Sequence, residues 1–201
     1  MDTYVVALEG VADTRPLDSL PKQLLTAAVR AVNRTADRAR TAAAREIRKQ
    51  VALPPSYLSP SGGRLTVTKK ANSNDLEAVI TGRQRATSLA TFTQGTKTPG
   101  KAGVSVTVAP GFARFMRKAF LIRLRAGTAD LDTKNNLGLA IRLKPGETIQ
   151  NKRQMVRLKG NLYLLYGPSV DSVFKGVRDD IGPDTSDFLA TEFARLLEID
   201  Q

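Results

Sequence analysis

The sequence predicts an α+β fold: a long N-terminal helix packed on an antiparallel β-sheet of four to six strands, followed by two short C-terminal helices. Three observations point there. Apolar residues recur at helical spacing from Leu25 to Ile47. Between residues 64 and 124, short segments suited to strands are separated by polar or Gly-containing linkers. After Ser169 the helical spacing returns on either side of Gly182-Pro183.

Taken in order, residues 1–19 read as an N-terminal arm with a short strand signal at Tyr4-Val5-Val6-Ala7-Leu8. From about Leu20 to Gln50, the residues Leu25, Val29, Val32, Ala36, Ala39, Ala43 and Ile47 follow one another at intervals of three or four and form one stripe. Pro21 suits a first helical turn, and Pro54-Pro55 forbids continuation. Such a helix is about 45 Å long. "RLTVTKK" (64–70) and "LEAVITG" (76–82) alternate around the polar turn "ANSND" and predict a hairpin. "SLATFTQ" (88–94) and "GVSVTVAP" (103–110) read as a second strand pair, and "KAFLIRL" (118–124) as another strand. Residues 126–155 read as a polar, loop-rich excursion. "LYLLY" (162–166) is a short buried strand, followed by helices over about 169–180 and 184–198 with a break at Gly182-Pro183. The predicted division is an arm (1–19), a body (20–182) and a C-terminal helix (183–201).

Several chemistries fall away on composition. Among 201 residues there is no Cys and no His, so disulfides, thiol nucleophiles, zinc fingers and Ser-His-Asp triads are excluded. No apolar run reaches the length of a membrane span, and an acid stands where a signal peptide would carry bases, so neither a membrane partner nor a cleaved leader is expected. "GTKTPGKA" (95–102) satisfies G-x-x-x-x-G-K, but Ala102 replaces the magnesium-binding hydroxyl and a strand-like segment follows. It reads as a connection between strands. The acid pairs Asp130/Asp132, Asp179/Asp180 and Asp184/Asp187 sit in a loop, at a helix end and at a helix start; at the helix start Asp184 suits the N-terminal dipole and needs no catalytic role. No catalytic residue, metal site or cofactor is expected, and no motif points to Ser-Lys catalysis.

Charge is more informative. The net charge is +12, yet residues 161–201 carry three bases and eight acids, leaving +17 on the rest. A basic body with an acidic end suits either a polyanion or complementary contact between protein surfaces. Arg30, Arg34, Arg38, Arg45 and Arg48 mark the basic side of the long helix. They read as a solvated face or as a partner or polyanion surface, and both readings stay open.

The segment "YGPS", Tyr166, Gly167, Pro168 and Ser169, reads as a fold-defining corner rather than a binding loop: Gly-Pro turns the chain and Ser169 caps the next helix.

Three stretches together resemble the phage minor tail protein Z family, the tail-completion proteins of lambda-like siphophages. They are "AVNRTADRARTAAAREIRKQV" (31–51), "TSLATFTQGTKTPGKAGVSVTVAPGFARFMRKAFLIRL" (87–124) and "LYGPSV" (165–170). The order and spacing agree over roughly residues 25–180, whereas 126–155 is longer and more polar than the pattern and the final helix lies outside it. The resemblance implies a structural virion protein, not an enzyme, acting at the head-proximal end of the tail and made in the bacterial host cytoplasm. Its implied partners are tail-terminator, tail-tube or head-completion proteins and further copies of itself in a ring, six being one candidate number. The rival reading is a basic protein binding DNA non-specifically, at the head–tail junction for instance.

Overall fold

The computed structural model describes residues 4–7, 21–95, 98–124, 137–144, 146–147 and 155–199. Their contacts divide the chain into two compact units: Met1–Ile47, Ser56–Arg83 and Asp171–Gln201 form the first, and Arg48–Pro55 with Gln84–Val170 the second. The class is α+β, with two long helices and antiparallel sheets.

In the first unit, β1 (Tyr4–Ala7), β3 (Glu77–Gly82) and β2 (Leu65–Lys69) form a three-stranded antiparallel sheet with β3 in the middle. The predicted hairpin turn holds: Asn72 and Asp75 exchange backbone hydrogen bonds, and the Asn72 side chain accepts from the amide of Asn74. Helix α1 (Lys22–Gln50) has no Gly or Pro inside it and is rich in Ala, the best helix former. Arg48 and Lys49 suit the negative end of its dipole.

Two polar ties fix α1 to the β2–β3 hairpin. The Asn33 amide donates to the Ala71 carbonyl at 3.0 Å and accepts from the Ala71 N–H at 2.9 Å. Arg40 is buried and its Nε donates to the Leu65 carbonyl at 3.0 Å. Desolvation lowers the Arg40 pKa, opposed by the charge of Asp37.

Helix α2 (Val170–Ile199) is one continuous helix with Pro183 inside it, where the sequence reading expects two short helices and a break. Its inward positions explain this. Phe174, Val177, Ile181, Thr185, Leu189, Phe193 and Leu196 stay in phase across Gly182-Pro183. A break there would turn one half of this stripe away from its packing. Pro183 is exposed, and Thr185 Oγ1 donates to the Ile181 carbonyl at 2.7 Å. The division expected after residue 182 therefore falls within a helix.

The second unit is an antiparallel sheet in the order β4 (Ala86–Ser88), β9 (Leu162–Ser169), β7 (Leu137–Arg142), β6 (Ala113–Arg123), β5 (Ala102–Thr107), with β8 (Met155–Arg157) also paired to β9. Across its centre, Phe120, Ala140 and Leu164 lie in one row and Leu121, Leu139 and Leu165 in the next, which points to the opposite face. Both rows are buried except for half-buried Phe120.

Two strand expectations change. β7 lies within the stretch read as an excursion: a strand covered on both faces shows no alternation, so "LGLAIR" lacks the usual signal. Residues 126–136 lie outside the described residues. β5 pairs with β6 along its length; "SLATFTQ" holds the last residue of β4, a 3₁₀ turn at Leu89–Phe92 and one isolated bridge from Thr93 to Val106 of β5. Ala102 opens β5 and no helix follows, as the strand-connection reading of "GTKTPGKA" requires; residues 96–97 of that loop lie outside the described set.

Candidate interaction surfaces

The basic side of α1 is only partly a free face. In the first unit α1 and α2 meet along a seam where Ala27 and Ala31 pack with Leu196, flanked by Leu189, Phe193 and Leu197. Alanines let the two helices approach closely. Arg34 Nη1 donates to Glu192 Oε1 at 2.5 Å, and Arg195 donates to both Glu192 oxygens at 2.8 and 2.7 Å. Glu192 is buried, and these partners, Arg195 first and then Arg34, hold its carboxyl down at about 2. The Arg38 guanidinium lies 4.3 Å from the centroid of the Phe188 ring. So two of the five predicted surface arginines fasten α2 to α1.

The other three are exposed. Arg30 is not free of partners, whereas Arg45 and Arg48 make no ion pair among the described residues. Arg38 and Arg45 line an open cleft of about 800 Å³ with Asp37, Glu46, Asp180 and Asp184. Its mixed charge makes it a poor polyanion site.

The chain passes from strand to helix at Ser169–Val170, as expected, but Gly167-Pro168 does not turn it. Gly167 and Pro168 lie inside β9, and Ser169 is its last residue, directly followed by α2. Across the ladder Ser88 faces Tyr166, Thr87 faces Gly167, and Ala86 faces Ser169. Pro168 is the extra residue of a β-bulge, so its missing N–H costs the ladder nothing. Gly167 sits in a tight place: a Cβ there would lie 3.1 Å from Phe92 Cε2 and 3.2 Å from Leu89 Cδ2, so these side chains would have to give by a few tenths of an ångström. Tyr166 is buried in a cluster with Ala140 and Leu164. These four residues build the sheet and offer no open binding loop.

Two groups were not legible in the sequence. One is Tyr57, buried in the first unit, with Arg64 4.1 Å from its ring centroid and Arg83 Nη2 donating to its hydroxyl at 2.6 Å. No spacing signal links these positions. The other is the β5–β6 hairpin. Its turn closes with a hydrogen bond from the Phe112 amide to the Ala109 carbonyl at 3.1 Å. Phe112 is 78% exposed and Phe115 61%. Arg114 and Arg117 are exposed beside them, while Lys118 pairs with Glu147 at 2.6 Å. Pro110-Gly111 between β-rich segments was the available turn signal.

Among the described residues no group of three or more Asp or Glu could hold a metal ion, and no helix is long and apolar enough to cross a membrane. No family model matches the chain, and no curated protein or solved structure is significantly similar to it.

Proposed function

We propose that the chain is a structural virion protein of a tailed phage, a minor tail protein acting in tail completion at the neck by protein–protein contact as a ring. The observation that carries this reading is the β5–β6 hairpin, which presents two exposed phenyl rings and, in Arg114 and Arg117, exposed cations with no ion pair among the described residues. Exposed aromatics beside arginine are the composition of a protein-contact hot spot. The resemblance over residues 25–180 supplies the setting, and the segregation of +17 from −5 suits head-to-tail association. Partners on this reading are tail-tube, tail-terminator or head-completion proteins and other copies of the chain. The site of action is the virion, after synthesis in the host cytoplasm.

The test is co-sedimentation of the purified chain with assembled tail tubes of the phage or prophage that encodes it, with electron microscopy of the bound end. Binding confined to one tube end is expected. No binding to tubes, and no gain of head joining in an extract lacking the protein, overturns the reading.

A second reading has its own observation. Arg45 and Arg48 are exposed cations without an ion pair among the described residues, as non-specific DNA contact requires. Retention on duplex DNA at physiological salt, without tube binding, would favour it.

A further inference from the structure

We propose that the β5–β6 hairpin docks on the acidic stripe of α2 in a second copy of the chain. This rests on the assembly reading above and names the two faces that meet.

The hairpin, residues 101–123, carries five cations and no carboxylate. Arg114 and Arg117 make no ion pair among the described residues. The ring of Phe115 is seated over Gly103, with Cζ 2.9 Å from where a Cβ on that glycine would stand. Gly103 has φ +88° and lies where the β5–β6 register shifts. The exposed ring is thus supported from beneath, which limits the ordering cost of contact.

The complementary face is on α2. Asp180, Asp184 and Asp187 are spaced i, i+4, i+7 and form one exposed stripe. The cations of the same helix are already engaged: Lys175 with Asp171, Arg178 with Asp179, and Arg195 with Glu192. None of the three stripe carboxylates is in an ion pair among the described residues. Pro183, exposed next to Asp184, offers an apolar surface to a phenyl ring.

Each chain therefore holds two exposed faces of opposite sign, the acidic one bordering at Asp180 and Asp184 the cleft that Arg38 and Arg45 of α1 also line. A second copy satisfies both, and the contact is heterologous, so it propagates from copy to copy. A nucleic acid would match the hairpin alone and leave the stripe unpaired.

The experiment is sedimentation velocity on the full chain at low salt, with two double variants. Arg114→Glu with Arg117→Glu reverses the hairpin, and Asp180→Lys with Asp184→Lys reverses the stripe. All four positions are exposed, so melting curves like the parent's are expected. The parent should associate with rising concentration. Each double variant alone should associate at least about tenfold more weakly. Their equimolar mixture should recover association, because reversed hairpin meets reversed stripe. A parent that stays monomeric at every concentration overturns the contact, and so does a mixture that fails to recover. If the hairpin variant associates like the parent but loses retention on duplex DNA, the hairpin belongs to nucleic acid and the proposal fails. Tube co-sedimentation of the parent separates the two levels: tube binding with unchanged association in both variants removes this contact alone.

Discussion

Arg34 on α1 donates a hydrogen bond to Glu192 on α2 at 2.5 Å, across 158 residues of chain. Arg195 grips the same carboxylate from within α2. Replacing Glu192 with Ala leaves two guanidiniums without their shared acceptor at the seam. Loss of about 1–3 kcal/mol is expected in chemical denaturation, and less for Arg34→Ala, because Arg34 is more than half exposed. Equal losses for the two would show that the carboxylate is not the centre of the seam.

The same carboxylate gives a pH dependence. Its folded pKa of about 2 lies below its ordinary value of 4.5, so the unfolded chain binds the proton more readily. The stabilisation is present in full above pH 4.5 and is lost as pH falls from there towards 2. Melting temperatures of the parent and Glu192→Gln, compared from neutral pH to pH 3, should converge. A gap that stays constant would assign the effect to something other than this ionisation.

At Gly167 the limiting factor is room. Gly167→Ala presses a methyl against Phe92 and Leu89, and Gly167→Val adds two more carbons in the same place. The expected cost is about 1 kcal/mol for Ala and about 2–3 for Val. Gly167→Val in a Phe92→Leu background should recover part of the loss, since the smaller side chain opens the site. Absence of any recovery would point away from Phe92 as the obstacle.

Pro183 offers a test of helix continuity. Within an unbroken helix, Pro183→Ala restores an N–H and removes a ring clash, so stability should rise by about 1–3 kcal/mol. Beyond its chain neighbours and its own helix backbone, a methyl added at Gly182 would meet no heavy atom within 4 Å, so Gly182→Ala should gain about 0.5–1 kcal/mol. Between two separate helices the same changes would be neutral or harmful. Helical circular dichroism and denaturant midpoints read both.

DNA retention, where present, should be indifferent to sequence and fall steeply with salt. Arg45→Ala with Arg48→Ala should flatten the log–log salt slope by about two, one for each lost phosphate contact. A footprint confined to one sequence, surviving at high salt, would contradict this.

What could be read in advance depended on whether the signal was local. Helix α1 was legible because prolines bound it and its apolar spacing is regular. The β2–β3 hairpin was legible because one face is polar and its turn is made of Asn, Ser and Asp. β7 escaped because burial on both faces erases alternation. The start of β6 before Lys118 escaped because Arg114 and Arg117 look like loop residues until a partner strand is known. Gly167-Pro168 and Gly182-Pro183 were both read as interruptions. In each case tertiary packing absorbs the proline, once in a bulge and once on an exposed side of a helix. The pairing of Arg34 with Glu192 has no sequence signature at all.

The first unit is drawn from three separated stretches, with the whole of 84–170 between the second and the third. On a ribosome adding about 5–20 residues per second, Arg34 waits roughly 8–30 s for Glu192 to be made. During that interval Ala27 and Ala31 have no Leu196 to cover them, while the strands of the second unit are already complete. Closure of the first unit therefore waits on synthesis of α2. A chain that stops short of α2 leaves this flank of α1 without Leu196 to cover it.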